Sequence, residues 1–165
     1  MYYYLNYFFL FSIIGHFLES TLYPSYESGI LTGYWTPIYG IGIVIIIFIY
    51  QLCQRWKLSN KWYFPLLFFL ICGITLASIE LLGGYLIQIL FHRVFWNYQS
   101  HHFPIFLYTS LDMALIWGIA SLGVSYLLKP LFDRIILKIP KWMTWIVSVI
   151  FIVDVLYQLS SLFTK

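Results

Sequence analysis

Four carboxylic acids stand within or at the ends of long apolar runs: Glu19, Glu80, Asp112 and Asp154. A carboxyl group in hydrocarbon is costly unless something compensates it, so such positions are candidates for ion binding, proton handling or polar contacts between helices. Their spacing supports this. Ser12, His16 and Glu19 follow i, i+4, i+7 and share one helix face. Glu19 is then either an ordinary residue at the water boundary or part of a polar stripe turned to a bundle interior. Gly73, Glu80 and Gly84 also share a face, where glycines would admit a neighbouring helix closely. Asp154 has Gln158 at i+4 and Ser161 at i+7, a polar stripe on an apolar helix. Asp112 follows Thr109 and Ser110, where aspartate commonly caps or complements a helix start.

Other reactive residue types form no recognised constellation. Cys53 and Cys72 lack metal-type spacing and read as reduced thiols at apolar sites. His92, His101 and His102 have no Cys, Asp or Glu at ligand spacing, so no metal site is assigned. There is no G-x-x-x-x-G-K-[ST], G-x-S-x-G, H-E-x-x-H or dinucleotide fingerprint, and no cofactor is expected. The chain therefore has no ATPase motif of its own, and any ATP-derived energy would come from another subunit.

The elements that must position these acids are membrane spans. The chain is 62% hydrophobic and 22% aromatic, with a mean hydropathy of +0.85. Only 9% of its 165 residues are charged, against about 25% in a soluble domain. A water-soluble fold could not cover so much apolar surface, so the bilayer is the expected solvent. The bases are too few and dispersed for a nucleic-acid footprint. Five runs approach the roughly 20 apolar residues a span requires: 3–22, 37–54, 62–91, 105–128 and 142–163. The third exceeds a simple span, which predicts tilt, a break near Gly83-Gly84, or extension beyond the membrane. The first run lacks a preceding basic region and reads as a retained span, not a signal peptide. The fold class expected is all-α, a single membrane domain over 1–165 built as a five-helix bundle.

The bases orient it. Seven of the nine Lys and Arg fall in two segments: Arg55, Lys57 and Lys61 after the second span, and Lys129, Arg134, Lys138 and Lys141 after the fourth. The segment after the first span has none, and that after the third has only Arg93. The positive-inside rule makes the two basic segments cytoplasmic, with the N-terminus inside and the C-terminus outside. Lys165 is the one exception.

Several motifs in order resemble one family. They are Ser12-x-x-Gly15-x-x-x-Glu19, then Ser28-Gly29-x-x-x-Gly33-x-x-x-Pro37-Ile38-Tyr39-Gly40, then Glu80-x-x-x-Gly84, then Phe95-Trp96-Asn97-Tyr98. The chain resembles, over roughly residues 8 to 160, the bacterial multi-pass family known as putative ABC-transporter type IV, or putative ABC-transporter permease. It departs from that pattern at Ser28-Gly29, where Arg-Gly is usual, and at Trp96-Asn97-Tyr98, where Trp-Asp-Tyr is usual. His102-Phe103-Pro104-Ile105 also stands where Asn-x-x-Gly-Arg-Ile is usual. The resemblance implies transport, with a separate ATPase subunit as a partner.

With the orientation set, the acids converge. At ~1.5 Å per residue, Glu80 lies about 27 Å along a helix entered near Trp62, in the outer leaflet. Glu19 ends the first span outside, Pro37 to Gly40 begin the second outside, and Trp96 to Tyr98 follow the third outside. The expectation is a pocket open to the extracytoplasmic side, with Glu19 and Glu80 as its acids. Tyr39, Trp96, Asn97, Tyr98 and His16 would complete it, and Gly29, Gly33, Pro37 and Gly40 would shape its loops. Asp154 and Asp112 are secondary members. The function expected is a permease-like subunit of the bacterial cytoplasmic membrane that binds a small solute, cation or lipid headgroup. It would work in the lipid bilayer as a homo-oligomer or with an ATPase. The alternatives are an intramembrane enzyme acting on a lipid-linked or envelope substrate, and a structural or regulatory membrane protein.

Overall fold

The computed structural model describes residues 1–22, 31–92 and 94–163. It is almost wholly helical. α1 spans Tyr2–Leu22, α2 Pro37–Arg55 and α3 Phe64–Phe91. A two-stranded antiparallel hairpin follows, β1 Pro104–Phe106 and β2 Thr109–Ser110. α4, Leu111–Gly123, runs through a π-helical turn, Val124–Leu128, into α5, Lys129–Ile136, and α6 spans Lys141–Phe163. Among the described residues, four helical stretches are long and apolar enough to cross a membrane: Pro37–Arg55, Phe64–Leu90, Leu111–Ile136 and Lys141–Ser160. α1 has the length, about 31 Å at 1.5 Å per residue, but Asn6, His16, Glu19 and four tyrosines make it less apolar than these.

Two expectations about elements need correction. The fold is nearly all α, with a short hairpin over 104–110. The fourth helix therefore begins at Leu111 and not near Ile105. Ser110 ends the strand and caps α4, its hydroxyl accepting the Met113 N–H. At the other end, Lys129 and Arg134 lie on α5 and not in a loop. The π turn has an identifiable cause. Pro130 lacks an N–H, and its ring would clash with a carbonyl one turn back. The helix widens just before it, with the Lys129 N–H reaching the carbonyl of Val124. The third run is one unbroken helix of 28 residues, not broken at Gly83-Gly84. It ends at His92, which adopts the left-handed conformation (φ 52°) and donates its N–H to the carbonyl of Gln88.

The chain divides into two compact units, Met1–Val44 with Leu131–Lys165, and Ile45–Pro130. In the first unit, α1 packs on α6 through Phe8 and Phe9 against Phe151 and through a buried hydrogen bond from Thr144 Oγ1 to Asn6 Oδ1, 2.7 Å. Asp133 accepts from both Tyr3 and Tyr7 hydroxyls, at 2.7 and 2.9 Å. The start of α2 seats against α1. The Thr36 N–H donates to the carbonyl of Ser12, and a Cβ on Gly40 would collide with Ser12 and Phe8, as one on Gly15 would with Tyr39.

In the second unit, α3 and α4 cross closely at small residues. A Cβ on Gly73 would press the carbonyl of Ala114, and one on Gly118 the ring of Phe69. Tyr50, Phe64, Phe68 and Tyr126 form an aromatic cluster near the start of α3. Cys53 and Cys72 are buried and unbridged. The outward faces are apolar: Ile74, Leu82, Leu86 and Ile89 of α3 are all more than half exposed. In water such a surface would aggregate; in a bilayer it is the solvated face.

Candidate functional site

Glu80 is 5% exposed, inside the most apolar helix of the chain. Two donors satisfy it. The Tyr98 hydroxyl donates to Oε1 at 2.7 Å, and the Trp117 indole N–H donates to Oε2 at 3.4 Å. Trp117 comes from α4 across the small-residue crossing. Tyr98 comes from the segment between α3 and the hairpin, where its position is fixed by its own backbone. Its N–H donates to the carbonyl of Leu107 at 2.9 Å and its carbonyl accepts from His101 at 3.0 Å. Asn97 holds this turn, its Oδ1 accepting the Gln99 N–H at 2.7 Å.

His101 extends the cluster. Its ring meets Tyr98 edge-on, centroids 4.7 Å apart, and its Nδ1 lies 2.6 Å from Asp112 Oδ2. Both side chains are about one-third exposed, so the pair faces solvent while Glu80 does not. Beneath the turn, Tyr108 packs edge-on against Tyr85 and Trp96. Its ring occupies the space where a Cβ on Gly84 would stand. The Glu80-x-x-x-Gly84 motif meets the Phe95-Trp96-Asn97-Tyr98 motif directly at Glu80, which receives Tyr98, and through Tyr108 at Gly84, since that ring lies between the glycine and Trp96. Burial pushes the Tyr108 phenol above its ordinary pKa of 10.0, and its hydroxyl has no hydrogen-bond partner among the described residues.

The first unit carries Glu19, His16 and Tyr39. Ser12 is fully buried and His16 and Glu19 partly so, while Phe17 and Leu18 are exposed, so the Ser12-His16-Glu19 stripe faces inward. His16 Nδ1 and Glu19 Oε2 are buried with no hydrogen-bond partner among the described residues. Tyr39 lies over Gly15, and Pro37 opens α2. Asp154 is not a free acid. It accepts the backbone N–H of Thr32 at 3.2 Å and of Gly33 at 2.9 Å, so it fastens the segment before α2 to α6. Gly29 and Ser28 lie outside the described residues.

Sequence reasoning missed Trp117, the pairing of His101 with Asp112, and Asp133. Trp117 is 37 residues from Glu80 and Asp133 is 126 from Tyr7, so no local spacing joins them. For Asp112 a signal existed: Ser110 takes the cap, which leaves the aspartate in the first turn free to reach another side chain.

Long apolar helices with a buried acid satisfied by aromatic donors define a multi-pass membrane protein. The chain belongs to the family Putative ABC-transporter type IV, whose sequence model matches residues 6–161. Comparison with curated proteins and with solved structures gives no match.

Proposed function

We propose that the chain is a permease-like subunit of the bacterial cytoplasmic membrane that binds a small solute, cation or lipid headgroup through acidic, aromatic-walled sites on its extracytoplasmic side. The observation that carries this is Glu80, a nearly inaccessible carboxyl in an apolar helix, held by Tyr98 and Trp117. An intramembrane acid of this kind is a functional candidate by default. Each carboxylate oxygen accepts one donor and keeps capacity for another. Tyr98 belongs to neither helix, so rotating its side chain frees Oε1 without unpacking α3 from α4. A cation then takes its place. Glu19, with His16 and Tyr39, is the second acid, within its own unit. α1 serves as the fifth span, with Arg55, Lys57, Lys61, Lys138 and Lys141 on the cytoplasmic side. Family membership supports transport, and because the sequence holds no P-loop, coupling to ATP runs through a separate subunit.

The test is flux in sealed liposomes holding the purified chain, with rubidium, choline and ethanolamine as probes, alongside growth of a strain relying on the variant. Glu80→Gln and Glu19→Gln are compared with the unaltered chain. A loss of flux or growth of at least about ten-fold, with folding retained, supports the reading; full activity in both variants overturns it. The paired His101 and Asp112 favour one alternative, an enzyme acting on a lipid-linked substrate, since an imidazole oriented by a carboxylate suits acid–base work. That reading requires turnover by the chain in detergent, with no second compartment.

A further inference from the structure

The first unit contains a cavity of about 490 Å³ whose walls include Ile13, Phe17, Tyr34, Trp35, Ile150 and Asp154. Its volume falls in the range of small-molecule sites, roughly 300–1,000 Å³. The walls are apolar except at one end. There Asp154 brings a carboxylate, and no Lys, Arg or His pairs with it among the described residues. The Thr32 and Gly33 amides bond its two oxygens and fix their direction, leaving acceptor capacity on each. Gly33 makes this approach possible, since a Cβ there would meet both Trp35 and Asp154. Three aromatic rings line the cavity. Phe17 and Tyr34 are stacked, 6.0 Å apart at 12°, and Trp35 borders the same Gly33 position as Asp154 does. Aromatic faces near a carboxylate attract a cation and offer nothing to an anion. Phe17 and Ile150 are 56% and 53% exposed on helices of apolar surface, so the cavity opens where a hydrocarbon chain would lie.

We propose that this cavity binds a cationic amphiphile, with an ammonium headgroup at Asp154 and its alkyl chain along Ile13, Phe17 and Ile150. Charge complementarity selects the head, and the apolar walls select the tail. Neither a free ammonium ion nor a neutral or anionic amphiphile meets both conditions. The site is distinct from Glu80, which lies in the other unit.

The test is equilibrium binding of radiolabelled dodecyltrimethylammonium to the full chain in neutral maltoside micelles. The expected result is one saturable site per chain, not competed by tetramethylammonium or dodecyl sulfate. Asp154→Asn removes the charge and is expected to weaken binding at least ten-fold. Because it could also release the Thr32-Gly33 segment, a second variant keeps the acid: Ile150→Trp fills the cavity from an exposed position, with the same ten-fold loss. Ile74→Trp, on the exposed face of α3, is expected to bind as the unaltered chain does. The proposal is overturned by the absence of a saturable site, by competition from dodecyl sulfate or tetramethylammonium, or by unchanged affinity in either Asp154→Asn or Ile150→Trp.

Discussion

Tyr98 and Trp117 each give Glu80 one hydrogen bond, and the consequence of removing any of the three depends on what stays behind. Glu80→Ala strands two donors in a buried place, and each stranded donor costs about 1–3 kcal/mol. Glu80→Gln keeps an acceptor oxygen and Tyr98→Phe loses a single bond, about 1 kcal/mol. Melting followed with a thiol-reactive dye, which reports exposure of buried Cys53 and Cys72, should therefore rank alanine well below the other two. Tyr108 behaves oppositely. Its hydroxyl is buried with no hydrogen-bond partner, so Tyr108→Phe is expected to melt at the same temperature as the unaltered chain or above it. The pH dependence has a definite sign. With its folded pKa raised above 10.0, Tyr108 keeps its proton in the fold longer than in the unfolded chain. Its stabilising contribution is complete below pH 10.0 and is lost as pH rises through the folded value. Denaturation measured across this range should show the unaltered chain losing stability that Tyr108→Phe does not lose. At this scale sequence alone found the acids, because charge in an apolar run is conspicuous. It set Tyr98 beside Glu80 but did not find Trp117, because a hydrogen bond between helices leaves no local trace.

At the scale of elements, the crossing of α3 and α4 rests on Gly73 and Gly118, whereas Gly83 has open space around it. Gly73 and Gly83, both on α3, should therefore respond differently to the same substitution. Gly73→Leu drives a side chain into the backbone of Ala114, which cannot rotate away, at a cost of about 1–3 kcal/mol or more. Gly83→Leu meets nothing and recovers helix propensity, so no loss is expected. Thermal melting of the pair checks this. Most helices were legible because proline, basic residues or turn formers punctuate the apolar runs, as Pro37, Arg55 and Lys141 do. The start of the fourth was misread because Ile105-Phe106-Leu107-Tyr108 is as apolar as a span. Pro104 and the Ser110 cap show why those four residues leave the helix: one sits in a strand without an N–H to donate, and the other begins a new helix. The π turn was illegible except through Pro130, whose demand on the preceding turn is physical but can be met in several ways.

For the whole molecule, orientation is the property that the distribution of bases predicts and that labelling can read directly. Single cysteines at Asn60, Asn97 and Lys138, all exposed, suffice. In intact cells an impermeant maleimide should label Asn97→Cys at once, and Asn60→Cys and Lys138→Cys only after permeabilisation; the reverse pattern would invert the topology. Cys53 and Cys72, at 4% and 0% exposure, add little background. The outward face of α6 bears on how such a chain can change over generations. Only 6% of the α6 span is buried, and Ile146, Val149, Ile152, Val153 and Leu156 all face outward. Hydrocarbon does not distinguish one aliphatic side chain from another by shape, so these positions can exchange isoleucine, valine and leucine almost freely. What can identify a relative of this protein is therefore its least hydrophobic content: the glycines that admit a ring or a carbonyl, and the few acids and tyrosines that meet one another.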